Sequence, residues 1–403
     1  MKNIIYIIDS LSPLALKSLS SSFYGKKNSK NTFFDKLLDK SIILQNVYGH
    51  GETYSTIFSS LSGKDIYKNK CDSWTDKNSF KEASDLGKNF KLMGFTNIYM
   101  RNASSKNSLV GFYGRFLKSV SQDFHYKFLQ KKNKNDNFSK FIKSQNLNKE
   151  LKSKKKNFFI LIHDYTLHDT KAAYEGNHKK ILSVIDGKLT NNVKRTLLDI
   201  NYKKEVDNLI FFSDHGLTTF PASDLFTKNN TNKNYYNDHY RNIFLDEKIK
   251  MLFFIKSPYI KKKIIIKNIY SSKHLYKIIK SFFYNFKDIK KFIKFSNSLN
   301  PKYLITSIRS TRATIYENYF DKNNFHNHAI FIKRNKKVIF SNKHPNKFIF
   351  QENGIFKKIN NLKILDNNFK KWIDEYYSYP NKVKKYYQFF IYKIFNLLKK
   401  ILE

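Results

Sequence analysis

Three aspartates stand where apolar runs end: Asp9 after NIIYII, Asp164 after NFFILIH and Asp214 after NLIFFS. A single acid in such a place is usually a helix cap or a turn residue. Three of them, two with a histidine close by, fit another chemistry. Clustered carboxylates repel one another, and a divalent cation offsets that repulsion. In HDYTLHDTKAAY (163–174) Asp164 and His168 are four residues apart, so one helical turn or a compact loop can aim both at one ion. His163 and Asp169 flank them and leave the assignment open. In the later stretch Asp214 is followed directly by His215 and Gly216. Mixed carboxylate and imidazole donors suit zinc or manganese better than magnesium or calcium, which favour oxygen throughout.

The stretch GHGETYSTIFSSLSGKD (49–65) leads a glycine-bearing loop into a Ser/Thr-rich segment with helical character. A hydroxyl at a helix start gains from the backbone amides and the positive end of the dipole. Thr53 is therefore a candidate nucleophile if a metal lowers its pKa, and an ordinary N-cap without one. His50, Lys64 and Arg241 are candidate contacts for an anionic substrate; with 75 Lys and Arg in the chain, the two cations carry little weight individually.

These residues need a scaffold that brings distant strand ends together. NIIYIID, SIILQNVYG, FTNIYM, NFFILIHD, NLIFFSD and KMLFFIKSP read as strands, with helix-like PLALKSLSSSF, NTFFDKLLDK and SFKEASDLGKNFKLMG between the earlier ones. Continuous apolar strands separated by helices imply an α/β fold, a doubly wound, mainly parallel sheet covered on both faces. In such sheets ligands bind beyond the carboxyl ends of the strands, where the three aspartates fall. We expect residues 1–300 to form the main domain, with a solvated Lys/Asn-rich insertion at about 126–156. Antiparallel hairpins are expected in a small subdomain over 301–380. A basic amphipathic helix is expected over 381–403, either packed on the domain or adsorbed to an anionic membrane.

The 403 residues carry a formal net charge of +43, which favours anionic partners. The excess is spread along the chain without a nucleic-acid motif, so no specific nucleic acid is expected. The single cysteine, Cys71, excludes an internal disulfide framework and a CxxC metal site. The apolar part of the N-terminus is too short for a signal peptide, and no run reaches membrane-spanning length. The expected location is cytoplasmic, or peripheral at the inner face of the membrane.

Taken in order, the pieces resemble the alkaline phosphatase and sulfatase superfamily: an acid closing the first strand (Asp9), a nucleophile opening a helix that ends Leu61-Ser62-Gly63, an acid and histidine after a later strand, and a late Asp-His-Gly. The segment NDHYRNIFLDEKIKMLFFIKSPYI looks like the family's histidine before a strand ending in proline, which assigns His239. The resemblance implies two metal sites, Asp9, Thr53, Asp214 and His215 in one and Asp164, His168 and His239 in the other. It implies a phosphoester hydrolase or phosphotransferase working through a covalent phosphothreonine on an anionic ester, a phosphorylated or sulfated glycan, lipid or small molecule. The modified Cys/Ser-x-Pro-Ser-Arg element of sulfatases is missing around Thr53-Tyr54-Ser55-Thr56-Ile57, and Ser10 stands where a second acid is expected beside Asp9. The alternatives are a sulfatase-like hydrolase and, from another class, a non-catalytic protein binding membrane surfaces or nucleic acid.

Overall fold

The computed structural model describes residues 1–20, 32–50, 53–64, 85–102, 123–129, 138–168, 170, 178–216, 249–299, 301, 304–310, 326–333, 336–341, 348–352 and 355–359. Its first strand, β1 (Lys2–Ile8), is buried along its whole length. Next come α1 (Thr32–Leu38), β2 (Ser41–Tyr48), α2 (Thr53–Ser62), α3 (Leu86–Leu92), β3 (Thr96–Arg101) and β4 (Tyr126–Leu129). Helices α4 (Phe138–Ser144) and α5 (Leu147–Lys152) precede β5 (Phe158–Asp164). Helices α6 (His178–Val184) and α7 (Thr190–Asp199), joined by a π-helical turn, lead to β6 (Asn208–Ser213). The short strands β7 (Lys250–Met251) and β8 (Phe253–Lys256) are followed by β9 (Ile264–Ser271), α8 (Ser272–Asn285) and α9 (Ile289–Ser298).

The strands form one nine-stranded sheet in the order β4-β3-β5-β1-β6-β8-β2-β7, with β9 also paired to β2. β1, β3, β4, β5 and β6 are mutually parallel, and β8 runs antiparallel to both β6 and β2. β2, β9 and the five parallel strands thus share one direction, and their carboxyl ends lie together. Alternation sorts the side chains onto two cores. Ile5, Ile7, Phe159, Leu161, Ile210 and Phe212 pack with α2, α8 and α9. Ile4, Tyr6, Ile8, Ile160, Ile162 and Phe211 pack with α1, α4 and α7. Each fully buried Ile or Phe contributes about 1.5–3 kcal/mol, so this doubly covered sheet is rigid ground for a site at its edge.

The α/β expectation agrees with the structure, with differences in detail. PLALKSLSSSF begins only a 3-10 turn (Pro13–Ala15) in the described residues, because Leu11, Ala15 and Leu16 are all buried and the chain is extended again at Leu16. KMLFFIKSP is two strands, pinched at Leu252: Ser213 N–H donates to its carbonyl (3.0 Å) and Leu252 N–H to Ser213 Oγ (2.8 Å). The 126–156 stretch is not simply a solvated insertion. It supplies β4 at the sheet edge and two helices that bury Phe138, Phe141, Ile142, Leu147 and Leu151 beneath their lysines.

A second, five-stranded antiparallel sheet comprises β10 (Leu304–Ser310), β11 (His326–Lys333), β12 (Lys336–Ser341), β13 (Phe348–Glu352) and β14 (Ile355–Ile359) in sequence order. The 381–403 helix lies outside the described residues.

Candidate metal centre

The backbone of β1 keeps its ladder one residue past the strand, Asp9 N–H donating to the Asp164 carbonyl at 2.9 Å. Ser10 then turns with φ 72°, the left-handed region that costs a non-glycine residue about 1 kcal/mol or more. That turn is used twice: Ser10 N–H donates to Asp214 Oδ1 (3.0 Å) and Ser10 Oγ to Asp9 Oδ1 (2.6 Å). Asp214, one residue beyond β6, also receives the His215 N–H on Oδ1 at 2.7 Å. Its Oδ2 is buried and has no hydrogen-bond partner.

Thr53 is the first residue of α2. Its Oγ1 donates to Asp9 Oδ2 at 3.0 Å and sits 3.1 Å from His215 Nε2. His215 Nδ1 is 2.8 Å from the Gly216 carbonyl, which only accepts. The proton therefore belongs on Nδ1, and Nε2 of the neutral ring presents its lone pair towards Thr53. His50 N–H donates to Thr56 Oγ1 (2.9 Å), tying the loop before α2 to its first turn. Gly49 is obligatory there: a Cβ would lie 2.7 Å from the Asp214 carbonyl oxygen and 2.9 Å from Thr56 Cγ2.

Asp9, Asp214 and His215 each offer a ligand atom, all within 4.8 Å of one another and all buried. They are the one such group among the described residues. Burial, followed by repulsion from Asp9, pushes the Asp214 carboxyl up to about 8. A partnerless buried carboxylate oxygen, a second acid and an outward-facing imidazole nitrogen fit a divalent cation, which would remove both costs.

The other proposed ligands are placed differently. The Asp164 side chain leaves β5 on the face opposite Asp9. Its Oδ1 accepts from Asn102 Nδ2 (3.0 Å) and Thr166 N–H (2.9 Å), and its Oδ2 from Tyr6 Oη (2.7 Å) and Asn192 Nδ2 (2.8 Å). Both oxygens are thus engaged by protein donors. The Tyr6 hydroxyl is pushed well above its usual pKa by burial and by this carboxylate. His168 is half-buried in the loop after β5, edge-on to Tyr165 at 5.6 Å. Lys64 follows Gly63 just past the end of α2, its carbonyl accepting from Ser59 Oγ at 3.1 Å. His239 and Arg241 lie outside the described residues. The structure brings together Asp9, Thr53, Asp214 and His215, with His50 beside them, and does not bring Asp164 to them.

Two further residues face this side. His163 Nε2 lies 3.9 Å from Asp9 Oδ2, and burial, then the charges of Arg101 and His168, hold its imidazole well below the usual pKa and so neutral. Arg101, fully buried at the end of β3, pairs in register with His163 and holds its guanidinium 4.6 Å from the Tyr165 ring. The sequence signal for Arg101 was a cation closing an apolar strand.

This arrangement, strand-end acids over a mostly parallel sheet with a nucleophile opening a helix, has the fold of the alkaline phosphatase and sulfatase superfamily. A 2-O GAG sulfatase superposes with a TM-score of 0.60 at 12% identity, covering 96% of this chain and 93% of its own. The phosphonate monoester hydrolase of Silicibacter pomeroyi gives 0.62 at 10% identity, covering 95% and 96%. An alkaline phosphatase superfamily protein from Vibrio parahaemolyticus gives 0.52 at 13% identity, covering 94% and 88%. No family model matches the chain, and no curated protein matches it in sequence.

Proposed function

We propose that the chain is a metal-dependent phosphoester hydrolase or phosphotransferase whose nucleophile is Thr53. The observation that carries this reading is the position of Thr53 Oγ1, 3.0 Å from Asp9 Oδ2 and 3.1 Å from His215 Nε2 at the start of α2. Asp9, Asp214 and His215 would hold one divalent cation, zinc or manganese by donor type, whose Lewis acidity favours the alkoxide form of Thr53. Asp9 orients the hydroxyl by accepting its hydrogen. The Thr53 oxygen attacks phosphorus in line, its new O–P bond forming as the ester P–O bond breaks. Water or an acceptor alcohol then attacks the phosphothreonine and returns the hydroxyl. Arg101 and His163, on the same face, offer a cation and a neutral donor to the oxygens of an anionic ester.

One cation rather than two is supported by the engagement of Asp164 with Tyr6, Asn102, Thr166 and Asn192. Sulfate ester hydrolysis is the second reading, favoured by the likeness to a GAG sulfatase. Threonine at the nucleophile position supports phosphate instead. The proposed cytoplasmic location, and membrane contact through 381–403, rest on composition.

Thr53→Ala should lower turnover of an aryl phosphate by at least about a thousandfold with the fold and bound cation retained. Full activity in that variant would end the reading. Matched aryl phosphate and aryl sulfate substrates separate the two ester classes, and a marked sulfate preference would overturn the choice made here.

A further inference from the structure

The end of the sheet opposite the metal centre carries a surface that catalysis does not use. The strands of the main sheet that share one direction start there, so the turns before β3, β5 and β6, the turn between β8 and β9 and the foot of α8 lie along one rim. The large apolar side chains exposed among the described residues fall on this rim. Leu92 and Met93 precede β3, and Leu198 and Val206 flank the turn before β6. Tyr259 and Ile265 bracket the turn between β8 and β9, and Tyr284 stands at the foot of α8. Leu92 and Leu198 are 76% and 79% exposed, which a soluble surface gains nothing by displaying.

Lysines interleave with them. Lys154, Lys155 and Lys156 precede β5, and Lys261, Lys262 and Lys263 precede β9, all exposed. The Tyr259–Phe286 ring contact (5.7 Å) brings the second triplet to the α8–α9 corner, where Lys287, Lys290 and Lys291 are exposed as well. Several acids on this end are already engaged. Glu150 and Glu205 pair with Lys156 (3.1 Å) and Lys204 (3.8 Å), Asp199 accepts from Ser139 Oγ, and Asp288 caps α9.

We propose that this rim is a docking surface for an anionic lipid bilayer. Isolated apolar side chains ringed by lysines match a surface with acyl chains beneath negative headgroups, where lysine stems lie along the apolar layer and tyrosines sit at the boundary. The patches are spread across the sheet from β3 to β9 rather than gathered in a groove, which fits a plane better than a single polymer strand or a peptide. The length of β6, six residues at about 3.3 Å each, holds the metal centre about 20 Å from that plane and facing away from it. The docked protein therefore acts on esters that reach outward from the surface or arrive from solution. This surface is separate from residues 381–403.

The test is co-sedimentation of the full chain with vesicles of phosphatidylglycerol or of phosphatidylcholine. The expected result is binding to the anionic vesicles alone, weakening as salt rises. Leu92→Gln/Leu198→Gln/Val206→Gln and Lys261→Gln/Lys262→Gln/Lys263→Gln should each weaken it at least about tenfold, with melting temperature and turnover of a soluble aryl phosphate unchanged. Lys179→Gln/Lys180→Gln/Lys188→Gln, on the helical stretch leading into α7, should change binding less than about twofold. Wild-type binding by both rim variants would overturn the proposal. So would loss of binding in the lysine variant alone, which would mark a purely electrostatic polyanion surface. A dimer that becomes monomeric in the apolar variant would mark a protein interface and overturn it too.

Discussion

Asp214 gives the most direct test of the metal centre, because its cost without a cation follows from its surroundings. Burial and the Asp9 carboxylate raise its pKa from 3.8 to about 8. Between those values the folded chain holds a proton that the unfolded chain has released, so stability falls as pH rises through the window from about 4 to about 8. At about 1.4 kcal/mol per pH unit, the full interval corresponds to on the order of 5 kcal/mol. Relaxation and water entry reduce this to a few kcal/mol in practice. Denaturant unfolding of the chelated chain at about pH 5 and about pH 8 should show that loss, and Asp214→Asn should flatten it. Zinc or manganese at about a hundred times its dissociation constant should return about 2.7 kcal/mol to the wild type at the higher pH and little to the variant. A pH slope unchanged by Asp214→Asn, or no stabilisation by either cation, would refute the assignment.

Other outcomes follow from the same contacts. Asp164→Asn sets an amide against donors from Tyr6, Asn102, Thr166 and Asn192. It should cost about 1–3 kcal/mol in denaturant unfolding while the bound cation per chain, read by elemental analysis, stays at the wild-type value. Gly49→Ala forces a Cβ against the Asp214 carbonyl oxygen; turnover should fall about a hundredfold through displacement of the loop before α2. Thr53→Ser keeps a hydroxyl and should retain activity within about tenfold in kcat, whereas Thr53→Val, close in shape, should lose it.

The centre was legible in the sequence where chemistry and chain position coincide. Asp9 and Asp214 end strands that are neighbours in the sheet, so the apolar runs before them were enough to suggest convergence. Thr53 was marked by its place at the start of a helix. Asp164 looked equivalent because it too ends an apolar run, yet β5 is buried on both faces and its sequence carries no alternation to show which way each residue points. Register decides it: Ile7 lies opposite His163 and Ile8 opposite Asp164, so His163 shares the Asp9 face and Asp164 the Tyr6 face. The 126–156 stretch was obscure for a related reason. Lysines and asparagines on the exposed sides of short helices dominate its composition, while the buried phenylalanines and leucines that fix it are few.

The hydrogen bonds around Asp164 also bear on the order of events in making the protein. Asp164 joins β1 through Tyr6, the end of β3 through Asn102 and α7 through Asn192. These contacts are complete without any ion, and they hold three of the segments that surround the centre. Of the two buried aspartates that end β5 and β6, only Asp214 waits for a counter-charge. Chain assembly can therefore precede metal loading, and a cation can leave and be replaced without the sheet coming apart.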